Sequence, residues 1–258
     1  MKRLIVNADD FGFTHDVNAG IVHAHRSGIL TSTTLMANGD AFEDAVRLAR
    51  ETPSLDIGCH LVLVQGRSLL TGTPFPERVQ TLLLELTRGR LNVYAELRAQ
   101  VEKIIAAGIT PTHLDSHKHT HLAPQVFRAV VRLAHDFHVP YVRLPLDASV
   151  PFTRLPCAAA APFYRRSAER LGVRMTDHFL GFRLTGCLTE ETLASALSKL
   201  REGSTEFMCH PGFLGPELRG APTRLKESRV RELEALTSVR IRDLVDAEAI
   251  RLGPFRPE

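Results

Sequence analysis

The sequence predicts an α/β fold: a (β/α) barrel-like architecture, related to the TIM barrel, with seven or eight mainly parallel strands. Three observations predict it. Short runs of branched apolar residues alternate with stretches of helical periodicity along the chain, the rhythm of parallel strands joined by right-handed crossovers. The length of 258 residues suits one barrel-type domain, so 1–258 is expected to be a single domain. Most of the unusual polar residues fall at the carboxyl ends of the predicted strands, and in a barrel those ends converge on one face.

Lys2–Asn7 reads as the first strand, followed by an amphipathic stretch from Asp16 to Ser27 that stops at Gly28. Thr31–Met36 is the second strand. Asp40–Arg50 repeats apolar residues at helical spacing and ends before Pro53. Leu55–Val64 is a long, almost continuously apolar third strand. A Gly/Pro-containing loop, Gln65–Pro76, leads into a long helical region, Glu77–Ala107, broken near Gly89.

Thr110–Asp115 is the fourth strand, followed by a histidine-rich loop and a helix from Pro124 to Phe137. Tyr141–Leu144 is the fifth. The segment 147–172 carries prolines, an alanine run and then helical character over Arg165–Leu171. Asp177–Phe182 and Glu206–Cys209 are two more strands, separated by a helix at Glu190–Arg201. A helix from Lys226 to Leu236 and a weaker helix–strand pair up to Phe255 close the sequence.

Composition narrows the function classes. Apolar residues at 44% and charged residues at 24% are near the averages for globular proteins. The balance of 32 basic against 29 acidic residues contains no basic block, so no nucleic-acid partner is expected. No apolar run approaches the roughly 20 residues that span a bilayer. The opening MKRLIVNADDFG is interrupted by Asn7, Asp9 and Asp10, unlike a signal peptide, so a cytoplasmic location is expected. The four cysteines form no CxxC pair, which argues against a disulfide framework or a zinc ribbon.

Histidine stands out: of twelve, four lie in the run His113 to His121. Asp9 and Asp10 follow strand one, His60 lies in strand three and His117 follows strand four. Arg143 is in strand five, Asp177 and His178 open strand six, and His210 closes strand seven. Taken singly, an Asp pair can cap a helix, a strand histidine can be a hydrogen-bonded core residue, and His210-Pro211-Gly212 can be an ordinary turn. Together, one carboxylate and two imidazoles are a common way to hold a divalent ion with positions left open for water and substrate. If the chain stays extended, His113, Asp115 and His117 project to one side. By the same alternation Cys59 and Cys209 face the helix layer while His60 and His210 face the pocket.

The segments LIVNADDFG, GILTSTTLMANG, IGCHLVL, THLDSHKHTHLAPQVF and MCHPG, in this order over nearly the whole chain, resemble the YdjC/ChbG-like carbohydrate deacetylases; TDHFLGF and SRVRELEAL are similar as well. A branch associated with hopanoid biosynthesis is a relative. The resemblance implies a barrel-like fold, a divalent metal and removal of N-acetyl groups from an amino sugar such as a chitooligosaccharide. It implies Asp10, His60 and His117 as metal ligands and Asp9 as the base, and it suggests a homodimer. Nitrogen and oxygen ligands suit both Mg2+ and Zn2+.

Amide hydrolysis needs an activated water and a protonated leaving amine. Asp9 is expected to accept the water's proton and a protonated His210 to donate to the amine, giving a bell-shaped pH profile. Asp177 is a candidate to sustain the His210 charge. Arg143 either orients Asp9, holds a substrate oxygen or makes a structural ion pair. Asp115, His119 and His121 are expected around the ligands or on the substrate. The rival readings are another metal-dependent sugar hydrolase, a phosphoesterase or an isomerase on the same barrel, and a carbohydrate- or metal-binding protein without turnover.

Overall fold

The computed structural model of the protein describes residues 1–146 and 158–256. Seven strands, β1 (Lys2–Phe11), β2 (Ser32–Leu35), β3 (Asp56–Leu61), β4 (His113–Ser116), β5 (Tyr141–Val142), β6 (His178–Leu180) and β7 (Gly203–Cys209), pair in the order β5-β4-β3-β2-β1-β7-β6. A short β8 (Arg251–Leu252) adds beside the start of β1. Every pairing among them is parallel. The sheet curls into a half-barrel, and at its β5 edge a parallel bridge joins Tyr141 to Arg174, four residues before β6, where Val142 N–H donates to the Arg174 carbonyl at 3.0 Å. The expected barrel-like α/β fold is what forms.

Ten helices accompany the described strands: α1 (His15–Ser27), α2 (Phe42–Glu51), α3 (Val79–Thr87), α4 (Val93–Ala106), α5 (Pro124–Asp136), α6 (Ala158–Glu169), α7 (Glu190–Leu197), α8 (Pro216–Gly220), α9 (Glu227–Thr237) and α10 (Val239–Ala247). Their starts follow local chemistry. The Thr14 hydroxyl accepts from Val17 N–H and the Asn92 amide from Ala95 N–H, each satisfying an orphan donor of a first turn. The expected break near Gly89 divides the Glu77–Ala107 region into α3 and α4, with Gly89 at φ +64°. α8, which the sequence pattern did not announce, opens on Pro216 in its first turn. Part of the expected 147–172 segment, residues 147–157, lies outside the described residues. Among the described residues no helix is long and apolar enough to cross a membrane.

Strand alternation sorts β1 into two faces. Leu4, Val6 and Ala8 belong to the main apolar core against the helices. Ile5 instead clusters with Tyr141 and Phe255 inside the barrel, and the Asn7 amide oxygen meets His113 Nε2 at 3.0 Å one layer higher. His113 stacks on Phe255 at 3.9 Å between centroids. Gly58 makes room for that ring: a Cβ there would lie 2.7 Å from the His113 imidazole and 2.4 Å from its carbonyl oxygen. Apolar packing thus closes one end of the interior, and polar groups fill the other.

Candidate active site

The structure extends β1 four residues beyond the expected Asn7, through both aspartates. Two neighbours on a regular strand point to opposite faces. Here the β1–β2 register shifts between Ala8 and Phe11, and Asp10 adopts φ +70°. The bulge turns Asp10 back toward the interior beside Asp9, in the left-handed region that Asp tolerates better than most residues. One local irregularity therefore presents both carboxylates to the same cavity.

Asp10 Oδ1 lies 3.4 Å from His60 Nε2 and 3.2 Å from His117 Nδ1, and the two imidazole nitrogens are 3.3 Å apart. These three residues form a cluster able to hold one metal ion. Asp10 Oδ1 is buried with no hydrogen-bond partner, a costly arrangement unless something else occupies its lone pairs. Metal bonds of about 2.0–2.1 Å in a tetrahedral set place donor atoms roughly 3.3 Å apart, so the residues present fit such an ion. The other atoms of the trio are held from behind. His60 Nδ1 meets Asp115 Oδ1 at 2.7 Å, His117 Nε2 meets Gln65 Oε1 at 3.3 Å, and Arg229 donates to Asp10 Oδ2. Burial pushes the Asp10 carboxyl up, but Arg229 and the two histidines outweigh it and hold it well below the carboxylate range.

Beneath the trio sits Arg143, fully buried. It donates from both terminal nitrogens to Asp9, at 2.9 and 2.7 Å, and also reaches Asp115 Oδ2 at 2.8 Å and Glu206 Oε1 at 2.7 Å. Of the three roles left open for Arg143, these contacts describe two at once, a buried ion pair that also orients Asp9, and they leave no free guanidinium nitrogen for a substrate oxygen. Burial pushes the Asp9 carboxyl up, yet Arg143 and then His60 hold it well below its ordinary value. Burial drives the Glu206 carboxyl up to about 7 even with Arg143 pulling it back. One guanidinium balances three carboxylates. Arg143→Met should therefore destabilise the fold by about 3–5 kcal/mol, because it strands buried acids without their cation; urea unfolding measures it.

His210 Nε2 lies 3.9 Å from Asp9 Oδ2, and its backbone N–H donates to Glu232 at 2.6 Å. Burial lowers its pKa to about 4, although Asp9 and Asp10 act to raise it. The expected resting charge on His210 is thus not favoured. Asp177 cannot supply it either. Its carboxylate is bound to Ser204 N–H at 2.8 Å and to the Ser204 hydroxyl at 2.7 Å. Ser204 pairs with Arg3 at the opposite end of the barrel from Asp9, so Asp177 is not part of the site.

The other expected residues divide. Asp115 supports His60. His121 is buried between the Ser116 hydroxyl and the Arg143 carbonyl, away from the cavity, and burial lowers it to about 3. His119 reaches the cavity wall, packed near Phe179 and Phe182. Cys59 and Cys209 are buried, and burial raises both thiols, in keeping with packing rather than ligation. Glu206, Arg229, Glu232 and Gln65 were missed. Glu206 carried a signal, a lone carboxylate in an apolar strand, of the same kind that marked His60.

A cavity of about 490 Å³ opens here, lined by Asp9, Asp10, His117 and His210 together with Phe182 and Arg224. Its volume is in the range of small-molecule sites, and the two aspartates form part of its wall.

The family model described as YdjC-like protein matches residues 3–247. A carbohydrate deacetylase of Brevibacillus brevis is 34% identical over 261 residues, covering 98% of this chain and 98% of its own. A carbohydrate deacetylase of Geobacillus stearothermophilus is 37% identical over 244 residues, covering 92% of this chain and 89% of its own. A solved structure from Enterococcus faecalis V583, named for cellobiose-phosphate cleavage, superposes with a TM-score of 0.81 at 28% identity, covering 98% of this chain and 97% of that one. Barrel, buried aspartate pair and whole-length likeness agree: this chain belongs to the YdjC-like family.

Proposed function

We propose that the protein is a metal-dependent carbohydrate N-deacetylase, with Asp10, His60 and His117 as ligands, Asp9 as base and His210 as proton donor. The observation that carries this reading is the pairing of a partnerless Asp10 Oδ1 between two imidazole nitrogens with a second aspartate, Asp9, held beside it by Arg143. Relatives named carbohydrate deacetylases over nearly the whole chain support the substrate class. Two imidazole nitrogens and a carboxylate oxygen suit zinc or magnesium alike, so the assay is run with each ion.

A divalent ion bound there supplies a Lewis acid that acidifies water and polarises the acetyl carbonyl. The residues of the chain do the rest. Arg143 fixes both Asp9 oxygens, so the carboxylate presents a constant face to the cavity. Asp9 takes the proton of the attacking water. Asp9 is a weak base in this setting, and His210 Nε2, 3.9 Å away, would receive the proton through one intervening water. His210 then delivers the proton to the departing nitrogen, a role that a neutral resting ring can fill. Glu232 holds the His210 backbone in place.

The decisive assay is acetate release from N-acetylated chitooligosaccharides with added zinc or magnesium, with phosphate esters as controls. A protein that cleaves the esters and spares the amides would sink the proposal. The pH profile tests His210 separately. With its pKa lowered to about 4, the ring is neutral above that value and charged only below it. Between pH 5 and 7, kcat/KM should therefore show no limb due to His210. A tenfold fall per unit across that window in wild type, absent in His210→Asn, would return the resting charge to the ring.

A further inference from the structure

We propose that Gln65 is a positioning residue for the metal site, fixing the tautomer and direction of His117 and making the 65–76 loop part of the ligand support. The proposal rests on the metal reading given above.

The two histidines of the trio face a common point with different nitrogens. His60 presents Nε2 while its Nδ1 is held by Asp115; His117 presents Nδ1 while its Nε2 is held by the Gln65 amide oxygen. An imidazole whose N–H is engaged by an acceptor keeps its other nitrogen unprotonated and aimed, which is the general support for a metal-facing histidine. Asp115 supplies this for His60 from within the barrel. Only a loop residue supplies it for His117, which sits past the end of β4 and is partly exposed.

The backbone is built to put Gln65 there. Gln65 has φ +61° and Gly66 φ +69°, two successive left-handed residues. For glutamine this conformation is unfavourable, and it persists only where surrounding contacts over-determine it. Those contacts are present. Gln65 N–H donates to the Pro76 carbonyl at 2.9 Å and Phe75 N–H to the Gly66 carbonyl at 3.0 Å, closing the loop on itself. Asn38 donates to the Arg67 carbonyl at 3.1 Å. From α4, the buried Glu96 accepts from the Ser68 hydroxyl at 2.6 Å and from Leu69 N–H at 3.0 Å, while Gln100 bonds both the N–H and the carbonyl of Val62 at 2.8 Å. α4 thus clamps the loop and the end of β3 together, and the strained residue between them reaches His117. Gln65 also lines the cavity, so the same side chain faces whatever enters.

The test compares zinc affinity, by calorimetry, in wild type, Q65M and Q65E, with the melting temperature of each metal-free protein as a control. Q65M keeps the length of the side chain and removes the acceptor; Q65E keeps an acceptor. Q65M should bind zinc about 10–100-fold more weakly than wild type, and Q65E should restore the affinity. The nitrogen-15 imidazole spectrum of the zinc-loaded wild type should show His117 protonated at Nε2. Equal affinity in Q65M and wild type, or equal loss in Q65M and Q65E, would overturn the proposal while leaving the metal reading intact. A wild type that takes up no zinc would overturn both.

Discussion

Asp9→Asn should lower kcat/KM for acetate release by about 10²–10⁴-fold, the range a positioned base contributes, while zinc binds with wild-type affinity. The substitution is nearly isosteric and leaves Asp10, His60 and His117 in place. Arg143 loses one of its three carboxylate partners but retains Asp115 and Glu206, so the buried guanidinium stays paired. What is lost is the carboxylate that accepts the proton, since an amide oxygen is not a base at neutral pH. Acetate release and calorimetry on the same preparation separate the two effects. If turnover survived undiminished, Asp9 would leave the mechanism. If zinc binding fell together with activity, Asp9 would belong to the ligand set.

The placement of Asp9 and Asp10 shows what the sequence could and could not reveal. Alternation of apolar strands and helices announced the barrel, and the ends of its strands collected Asp9, Asp10, His60 and His117 from distant positions. That much follows from periodicity and the convergence of strand ends. The bulge that turns Asp10 inward left no mark in NADDFG, because a one-residue irregularity changes neither composition nor pattern. Asp177 shows the converse error. It stands at the beginning of β6, so the same topology that gathers carboxyl ends sends it to the other end, where it binds Ser204. Arg229 and Glu232 stood three apart on one face of α9, indistinguishable in sequence from a solvated helix face. Burial alone separates them: both are 1% exposed and serve Asp10 and His210. The resemblance to a family pointed to Asp10, His60 and His117 as candidate ligands; the folded structure shows the side chains that support them.

Removing the ion with a chelator should take acetate release to background, and adding zinc should return it. Loss of an electrophile worth several kcal/mol at the transition state corresponds to roughly 10³–10⁵-fold in rate at 1.36 kcal/mol per decade. The same treatment should lower the melting temperature. An ion that binds the folded chain alone stabilises it by about 4 kcal/mol when present at 1,000 times its dissociation constant. The reason is local: without the ion, Asp10 Oδ1 stays buried without a partner beside two imidazoles. Measuring both quantities discriminates between the classes of protein this barrel could be. A binding or storage protein would gain stability from zinc and release no acetate. A hydrolase whose ion lies elsewhere would lose activity to the chelator yet bind zinc equally well after His60→Ala. Only an enzyme working at the Asp10–His60–His117 centre loses turnover, stability gain and zinc affinity together in that variant.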